Sequence, residues 1–232
     1  MNNSSIYSVS NLTARYGNLI AIQDINLTFN SGESVGIFGH NGCGKSTLIK
    51  CLVGAIEEVD GTVRFFGKDI ISGNVSANIL YGIGMVPQTN NVFPNLSVEQ
   101  CLKIAGLREK SAPLEDIYSL FPILKERKIQ KAGSMSGGEQ QILAVAMSLM
   151  AKPKIILLDE PTAGLSPTAS KNVLKCLEDI NKRLKTTIII IEQNVLTTLD
   201  IVERSIILRS GRVVFDDKSE ILKNSQNLWD YF

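Results

Sequence analysis

An α/β fold with a parallel sheet covered on both faces is what this sequence predicts, and three observations carry the prediction. Short continuous apolar runs at 34–38, 155–158 and 187–191 lack the alternation of a half-exposed strand. A helical stretch at 169–184 separates the last two runs and has the length of a crossover connection. A glycine-rich loop, Gly39 to Gly44, stands between a strand and a helix. The 232 residues are 44% apolar and 20% charged, which suffices for one large core or two small ones. Those values exclude low-complexity disorder, collagen and a small disulfide scaffold.

Along the chain, 6–13 and 22–29 read as strands, with Ser31-Gly32-Glu33 as a turn before the 34–38 strand. Helix 45–53 follows the glycine loop, and 62–66 before Gly67-Lys68 reads as a further strand and turn. From 98 to 124 the pattern turns helical, with Leu102, Ala105, Ile117, Leu120, Phe121 and Leu124 as core positions. Pro113 fits an early helical position and Pro122 a break. After the 187–191 run comes a hairpin, 205–208 and 212–215, turning at Arg209-Ser210-Gly211, and then a partly helical tail from 218 to 232. No internal repeat and no linker rich in Pro, Gly or Ser divides the chain, so residues 1–232 are expected to form one domain.

Charge and cysteine usage narrow the partners. Lys and Arg number 24 against 23 Asp and Glu, so no strong field for nucleic acid exists, and none is expected as a partner. The cysteines Cys43, Cys51, Cys101 and Cys176 form no C-x-x-C pair, which fits reduced thiols better than a metal site. The apolar run 142–151 is too short to cross a bilayer, and the first residues carry no basic end or apolar block. A soluble intracellular chain is the expectation.

Gly39-His40-Asn41-Gly42-Cys43-Gly44-Lys45-Ser46, followed by Thr47, satisfies the G-x-x-x-x-G-K-[ST] phosphate-loop pattern. The glycines let backbone N–H groups turn inward around phosphate oxygens, and the helix N-terminus adds its positive dipole end. Lys45 supplies a point charge to the β- and γ-phosphates, and Ser46 a hydroxyl for Mg²⁺. Asp159, at the end of the 155–158 run, is placed to join the Mg²⁺ shell. Glu160, one residue nearer the γ-phosphate, could orient or deprotonate the attacking water. Cys43 admits two readings: a thiol activated by the surrounding N–H donors and Lys45, or a small side chain that simply fits.

The run Ser134-Met135-Ser136-Gly137-Gly138-Glu139-Gln140-Gln141 resembles the signature motif of ATP-binding cassette (ABC) proteins. Ser136 and the Gly137 and Gly138 amides at a helix start make an anion site. The resemblance covers nearly the whole chain. It implies a RecA-like phosphate-loop core, an N-terminal antiparallel β subdomain and an inserted helical subdomain at about 89–153. It further implies ATP and Mg²⁺ as cofactors and a head-to-tail dimer with a second ABC ATPase subunit, the same or different. In that dimer Ser136, Gly137, Gly138 and Glu139 of one chain meet the ATP held by the other. By position, Tyr16 matches the aromatic on which adenine stacks. Gln88, in Met85-Val86-Pro87-Gln88, matches the glutamine loop that reaches Mg²⁺ and water. Residues 161–167 match the loop linking the two ATP sites.

Within the family the wording is most similar to ATP-binding subunits of branched-chain amino acid importers. It is shared at 92–99, Phe121-Pro122, 124–127, Gln130, Ala132-Gly133, 135–141, 164–167 and Glu192-Gln193-Asn194. Urea and short-amide importers have similar subunits, and a soluble ABC ATPase of DNA repair or translation is a more distant alternative. A non-hydrolysing nucleotide-binding regulator would need Glu160 absent or replaced. The short stretch after the last hairpin leads one to expect no C-terminal regulatory domain. The place of the usual switch histidine holds Gln193, as in that branch, and the one histidine in the chain is His40. Gln193 is then either a neutral sensor of the γ-phosphate, acting with Gln88 and Glu160 in catalysis, or a cap on the preceding strand. Ser166 replaces the common aspartate of the linking loop, and Met147 stands where an arginine is frequent. The resemblance thus implies an ATPase subunit on the cytoplasmic face of the cell membrane, bound to transmembrane permease subunits through a groove near residues 88–96.

Overall fold

The computed structural model describes residues 5–89, 91–107, 111–225 and 227–232. Strands β1 (Ser5–Tyr16) and β2 (Leu19–Asn30) form a long antiparallel pair. With β4 (Val59–Phe65) and the two-residue β5 (Lys68–Asp69) they make a sheet ordered β2-β1-β4-β5. The second sheet contains β3 (Ser34–Phe38), β6 (Ile83–Val86), β7 (Ile155–Asp159), β8 (Thr187–Ile191), β9 (Arg204–Arg209) and β10 (Arg212–Lys218). Its order is β10-β9-β3-β8-β7-β6, parallel throughout except for the antiparallel edge strand β10.

Burial explains the continuous apolar runs. In β8, Ile188 and Ile190 belong to one core cluster, whereas Ile189 and Ile191 belong to the other. In β7, Ile156 and Leu158 likewise oppose Ile155 and Leu157. Successive side chains leave opposite faces of a strand, so a strand with cores on both sides has no polar position to alternate with. One core lies against the antiparallel sheet and α1 (Lys45–Leu52), through residues such as Tyr7, Phe29, Leu48 and Phe65. The other lies against the helices inserted between β6 and β7, and against α7 (Pro167–Leu184).

The 98–124 tract is helical, as the sequence leads one to expect, with a boundary at Pro122. It divides into α3 (Val98–Ala105), α4 (Leu114–Leu120) and α5 (Pro122–Glu126), with residues 108–110 of the tract outside the described residues. Helix α3 ends at Gly106, and Pro122 opens α5 where it was expected only to break a helix. Pro113 is the N-cap of α4, just outside it. Short elements α2 (Val75–Ile79), β6 and α8 (Val195–Leu199) add to the expected set, α6 (Gly137–Leu149) starts within the Ser136-Gly137-Gly138 run, and α9 (Ser219–Lys223) follows β10. Met147, on α6, is partly buried against the second core and serves as packing. Among the described residues no helix is long and apolar enough to cross a membrane.

Candidate functional site

The strand order sets the site. Parallel neighbours β6, β7, β8 and β3 all point their C-terminal ends to one edge, where crevices of α/β sheets form. Gln88 follows β6, Asp159 and Glu160 end β7, Gln193 follows β8, and the glycine loop follows β3. Residues 72 and 33 positions from Glu160 thereby reach the same atom: the side-chain amides of Gln88 and Gln193 each donate to Glu160 Oε2 at 2.8 Å. Glu160 has φ +49°, an unusual left-handed conformation for a non-glycine residue, and its N–H donates to the Ile191 carbonyl at 3.0 Å. The backbone that aims this carboxylate is therefore held by β8.

The loop itself is built for close approach. Gly39 has φ +142°, and a Cβ there would lie 2.2 Å from the Leu208 carbonyl oxygen. Gly44, the N-cap of α1 at φ 106°, offers no side-chain cap, so the first amides of the helix are free of such a partner. The Lys45 ammonium donates to the carbonyls of Gly39 at 2.8 Å and His40 at 3.1 Å. Ser46 Oγ donates to Asp159 Oδ1 at 3.0 Å, which brings the hydroxyl of α1 to the carboxylate of β7. A cleft of about 350 Å³ is lined by Ala21, Asn41, Gly42, Gly44, Lys45, Ser46, Thr47, Gln88, Glu160 and Gln193. Of these, Ala21 was not expected from sequence.

Electrostatics favour a cation beside Asp159. Burial raises its carboxyl above the ordinary value, the neighbouring Glu160 charge adds to the rise, and Ser46, Lys50 and Lys45 oppose it. The nearby donors are a hydroxyl, carboxylates and an amide oxygen, which are hard oxygen ligands of the kind Mg²⁺ takes. Among the described residues no cluster of three or more His, Cys, Asp or Glu could hold a metal alone. A Mg²⁺ ion here would need phosphate oxygens and water to complete its shell, as that ion prefers.

Other expected residues lie apart from this cleft. Ser136 is the N-cap of α6, in a capping box with Glu139: Glu139 N–H donates to Ser136 Oγ, and Ser136 N–H to the Glu139 carboxylate at 3.0 Å. Glu139 also pairs with Arg127 at 2.9 Å, and Gly137 is exposed while Gly138 is buried. Both glycines have close neighbours: a Cβ on Gly138 would sit 3.0 Å from Ala169 Cβ, and one on Gly137 3.0 Å from Leu165 Cδ2. Tyr16, at the end of β1, is 47% exposed, as a ring with a free face must be. His40 is exposed and does not line the cleft. Of the 88–96 stretch, Asn90 lies outside the described residues.

The activated-thiol reading of Cys43 does not hold. The side chain is buried under Gly39, and burial raises its thiol more than Lys45 and the loop N–H groups lower it. The small-side-chain reading stands. Sequence reasoning gave no role to Glu192, which is 2% exposed. Its carboxylate accepts Thr162 N–H at 2.8 Å and Gln193 N–H at 3.2 Å, tying the start of the 161–167 loop to the residue behind β8. A carboxylate ending an isoleucine run was the available signal, because a buried acid demands partners.

A family sequence model, that of the ABC transporter, matches residues 22–163. The branched-chain amino acid transport ATP-binding protein BraG of Pseudomonas aeruginosa is 34% identical over 229 residues, covering 97% of this chain and 98% of its own. LivF of Archaeoglobus fulgidus, a probable branched-chain amino acid transport ATP-binding protein, is 36% identical over 220 residues, 93% of each chain. Among solved structures, CbiO1 of Clostridium perfringens, part of the ABC transporter complex CbiONQ, superimposes with TM-score 0.83 at 28% identity. That match covers 95% of this chain and 91% of CbiO1.

Proposed function

The chain belongs to the ABC transporter family, and from that premise we propose that it is the ATP-hydrolysing subunit of an importer for branched-chain amino acids. ATPase activity coupled to transport follows from the family itself. The solute is the further step, and likeness to BraG and LivF over nearly the full length of each chain supports it. The observation that carries the chemistry is the Glu160 carboxylate, held at the mouth of the phosphate-loop cleft by two amides.

In this reading Tyr16 stacks on adenine, and the backbone of 39–47 wraps the phosphates. Lys45 exchanges its two carbonyl partners for β- and γ-phosphate oxygens. Ser46, Asp159 and Gln88 would hold Mg²⁺, which would supply positive charge to offset the charge that develops during phosphoryl transfer. Glu160 orients the attacking water or takes its proton, and Gln193 reports on the γ-phosphate as a neutral donor. Ser136, Gly137, Gly138 and Glu139 of a second ATPase subunit close over the nucleotide. The inserted helices, with Gln88 at their root, transmit closure to transmembrane permease subunits at the cytoplasmic face of the membrane.

Glu160→Gln tests the mechanism. It should retain MgATP, lose turnover by roughly 10²–10⁴-fold and elute as a dimer in size-exclusion chromatography with MgATP. Turnover at the parental rate removes Glu160 from the water. Uptake of labelled leucine by vesicles holding the chain with its co-purified membrane partners tests the solute, and ATP-dependent uptake of an amide or urea instead corrects it.

A further inference from the structure

His40 is unexplained by the reading above, yet its carbonyl holds the loop together: it accepts both Lys45 Nζ at 3.1 Å and Cys43 N–H at 3.2 Å. Its ring stands outside the cleft, edge-on to the ring of Phe232, with centroids 6.2 Å apart and planes at 77°. Phe232 is not placed there by the loop. It rests against Trp229 at 5.6 Å, and Phe232 N–H donates to the Trp229 carbonyl. The turn carrying these residues is pinned to the β9–β10 hairpin. Leu228 is buried in the core, Tyr231 packs edge-on against Phe215 of β10 at 5.2 Å, and the Arg209 guanidinium donates to the Asp230 carbonyl at 3.4 Å. The same hairpin reaches the loop independently, through Gly211 N–H on the Cys43 carbonyl at 3.0 Å.

We propose that Phe232 is a positioning residue for the phosphate loop, bracing His40 so that the Gly39 and His40 carbonyls stay aimed at Lys45 before ATP arrives. The proposal rests on Lys45 being the phosphate-binding lysine. The loop's glycines offer no side chains to hold and Cys43 is turned inward, which leaves the exposed His40 and Asn41, and of these it is the imidazole that meets an aromatic ring of the tail. Losing the brace leaves the loop to be ordered by ATP itself, which weakens binding without touching the groups that meet the water. Geometry of this kind sets affinity rather than chemistry, so KM and kcat should separate.

Trp229, the single tryptophan, is 63% exposed beside Phe232 and reports on the brace by fluorescence. MgATP titration of the parent should change its emission. Phe232→Ala and His40→Ala should each raise the ATP dissociation constant and KM by about 2- to 10-fold, with kcat within about twofold. The double variant should be no worse than either single one, because both remove the same contact. His40→Phe, which keeps an aromatic pair, should restore parental affinity. Additive losses, an unchanged KM, or failure of His40→Phe to restore it at parental melting temperature overturns the brace. A parent that binds ATP equally well after Lys45→Ala overturns the underlying reading and the brace with it.

Discussion

Replacing Gln193 by alanine removes one of two amides that donate to Glu160 Oε2, each at 2.8 Å. In the unliganded fold the loss is limited. A hydrogen bond to a charged group contributes about 1.5–3 kcal/mol, and Gln88 remains on the same oxygen, so stability should fall by no more than about 2 kcal/mol. Turnover should suffer more, because a donor aimed at charge developing in the transition state is worth roughly 10²–10³ in kcat. Gln193 makes no contact with Lys45 or Ser46 that the loop depends on, so ATP affinity should change by less than about threefold. Phosphate release at saturating and limiting MgATP, with equilibrium nucleotide binding, separates the two quantities. Gln193→Asn, one methylene shorter, should behave like alanine. Gln193→His should restore a donor and add a step in the pH–rate profile near about 6.5, which the parent lacks. An alanine variant with parental kcat refutes the sensor role and leaves Gln193 as a strand cap.

Gly39→Ala should unfold the loop, since its Cβ meets the Leu208 carbonyl oxygen at 2.2 Å, whereas Gly42→Ala, with nothing within 4 Å, should fold at a cost of about 1–2 kcal/mol and lose ATP affinity. Thermal melts with and without MgATP distinguish them, and equal melts contradict the assignment. Burial raises the Glu192 carboxyl above 4.5 despite its two N–H partners, so the folded chain binds that proton more tightly than the unfolded one. Its contribution to stability is complete below 4.5 and is lost as pH rises through the raised value, and Glu192→Gln should flatten that part of the urea-unfolding pH curve. Burial pushes the Cys51 and Cys176 thiols up to about 12, the latter with Asp179 adding, and raises those of Cys43 and Cys101. Alkylation of the folded chain at about pH 8 should therefore be at least tenfold slower than of the unfolded chain at every cysteine, and early labelling of Cys43 revives the activated thiol.

What the sequence disclosed tracks how local each cause is. Strands β7 and β8 were legible because burial on both faces leaves unbroken apolar runs, and α7 because of its length between them, although it starts at Pro167 behind the Ser166 cap and not at 169. Strand β6 was not, since four residues that include Gly84 carry too little pattern, although that glycine is needed where Pro153 crosses. In the 98–124 tract the break at Pro122 was legible because proline cannot continue a helix, whereas the end of α3 at Gly106 was not, since no boundary was read from that glycine. In the site, the loop and Asp159 were readable as motifs. The meeting of Gln88, Glu160 and Gln193 depends on β6, β7 and β8 being neighbours, an order that only long-range packing decides.

That meeting bears on how this site could work without a titrating switch. Both partners of Glu160 Oε2 are neutral amides, so neither can alter its charge as pH varies. What can change is which donor is present. Gln88 lies between the end of β6 and the inserted helices, so on the proposed assignment a shift of those helices that reached it would break its bond to Glu160, since a hydrogen bond tolerates only a few tenths of an ångström beyond about 3 Å. On the proposed assignment, Gln88 would be among the residues that hold Mg²⁺, and engagement of the Gln193 amide by the γ-phosphate would leave the Glu160 carboxylate free for water. Occupancy of the cleft and position of the helices are then read through the same oxygen. Any such coupling would be reciprocal, because a helix position that withdraws Gln88 would alter the carboxylate just as nucleotide would. On the proposed assignment, a pair of neutral, exchangeable amides links nucleotide in the cleft to the inserted helices without a titrating switch residue.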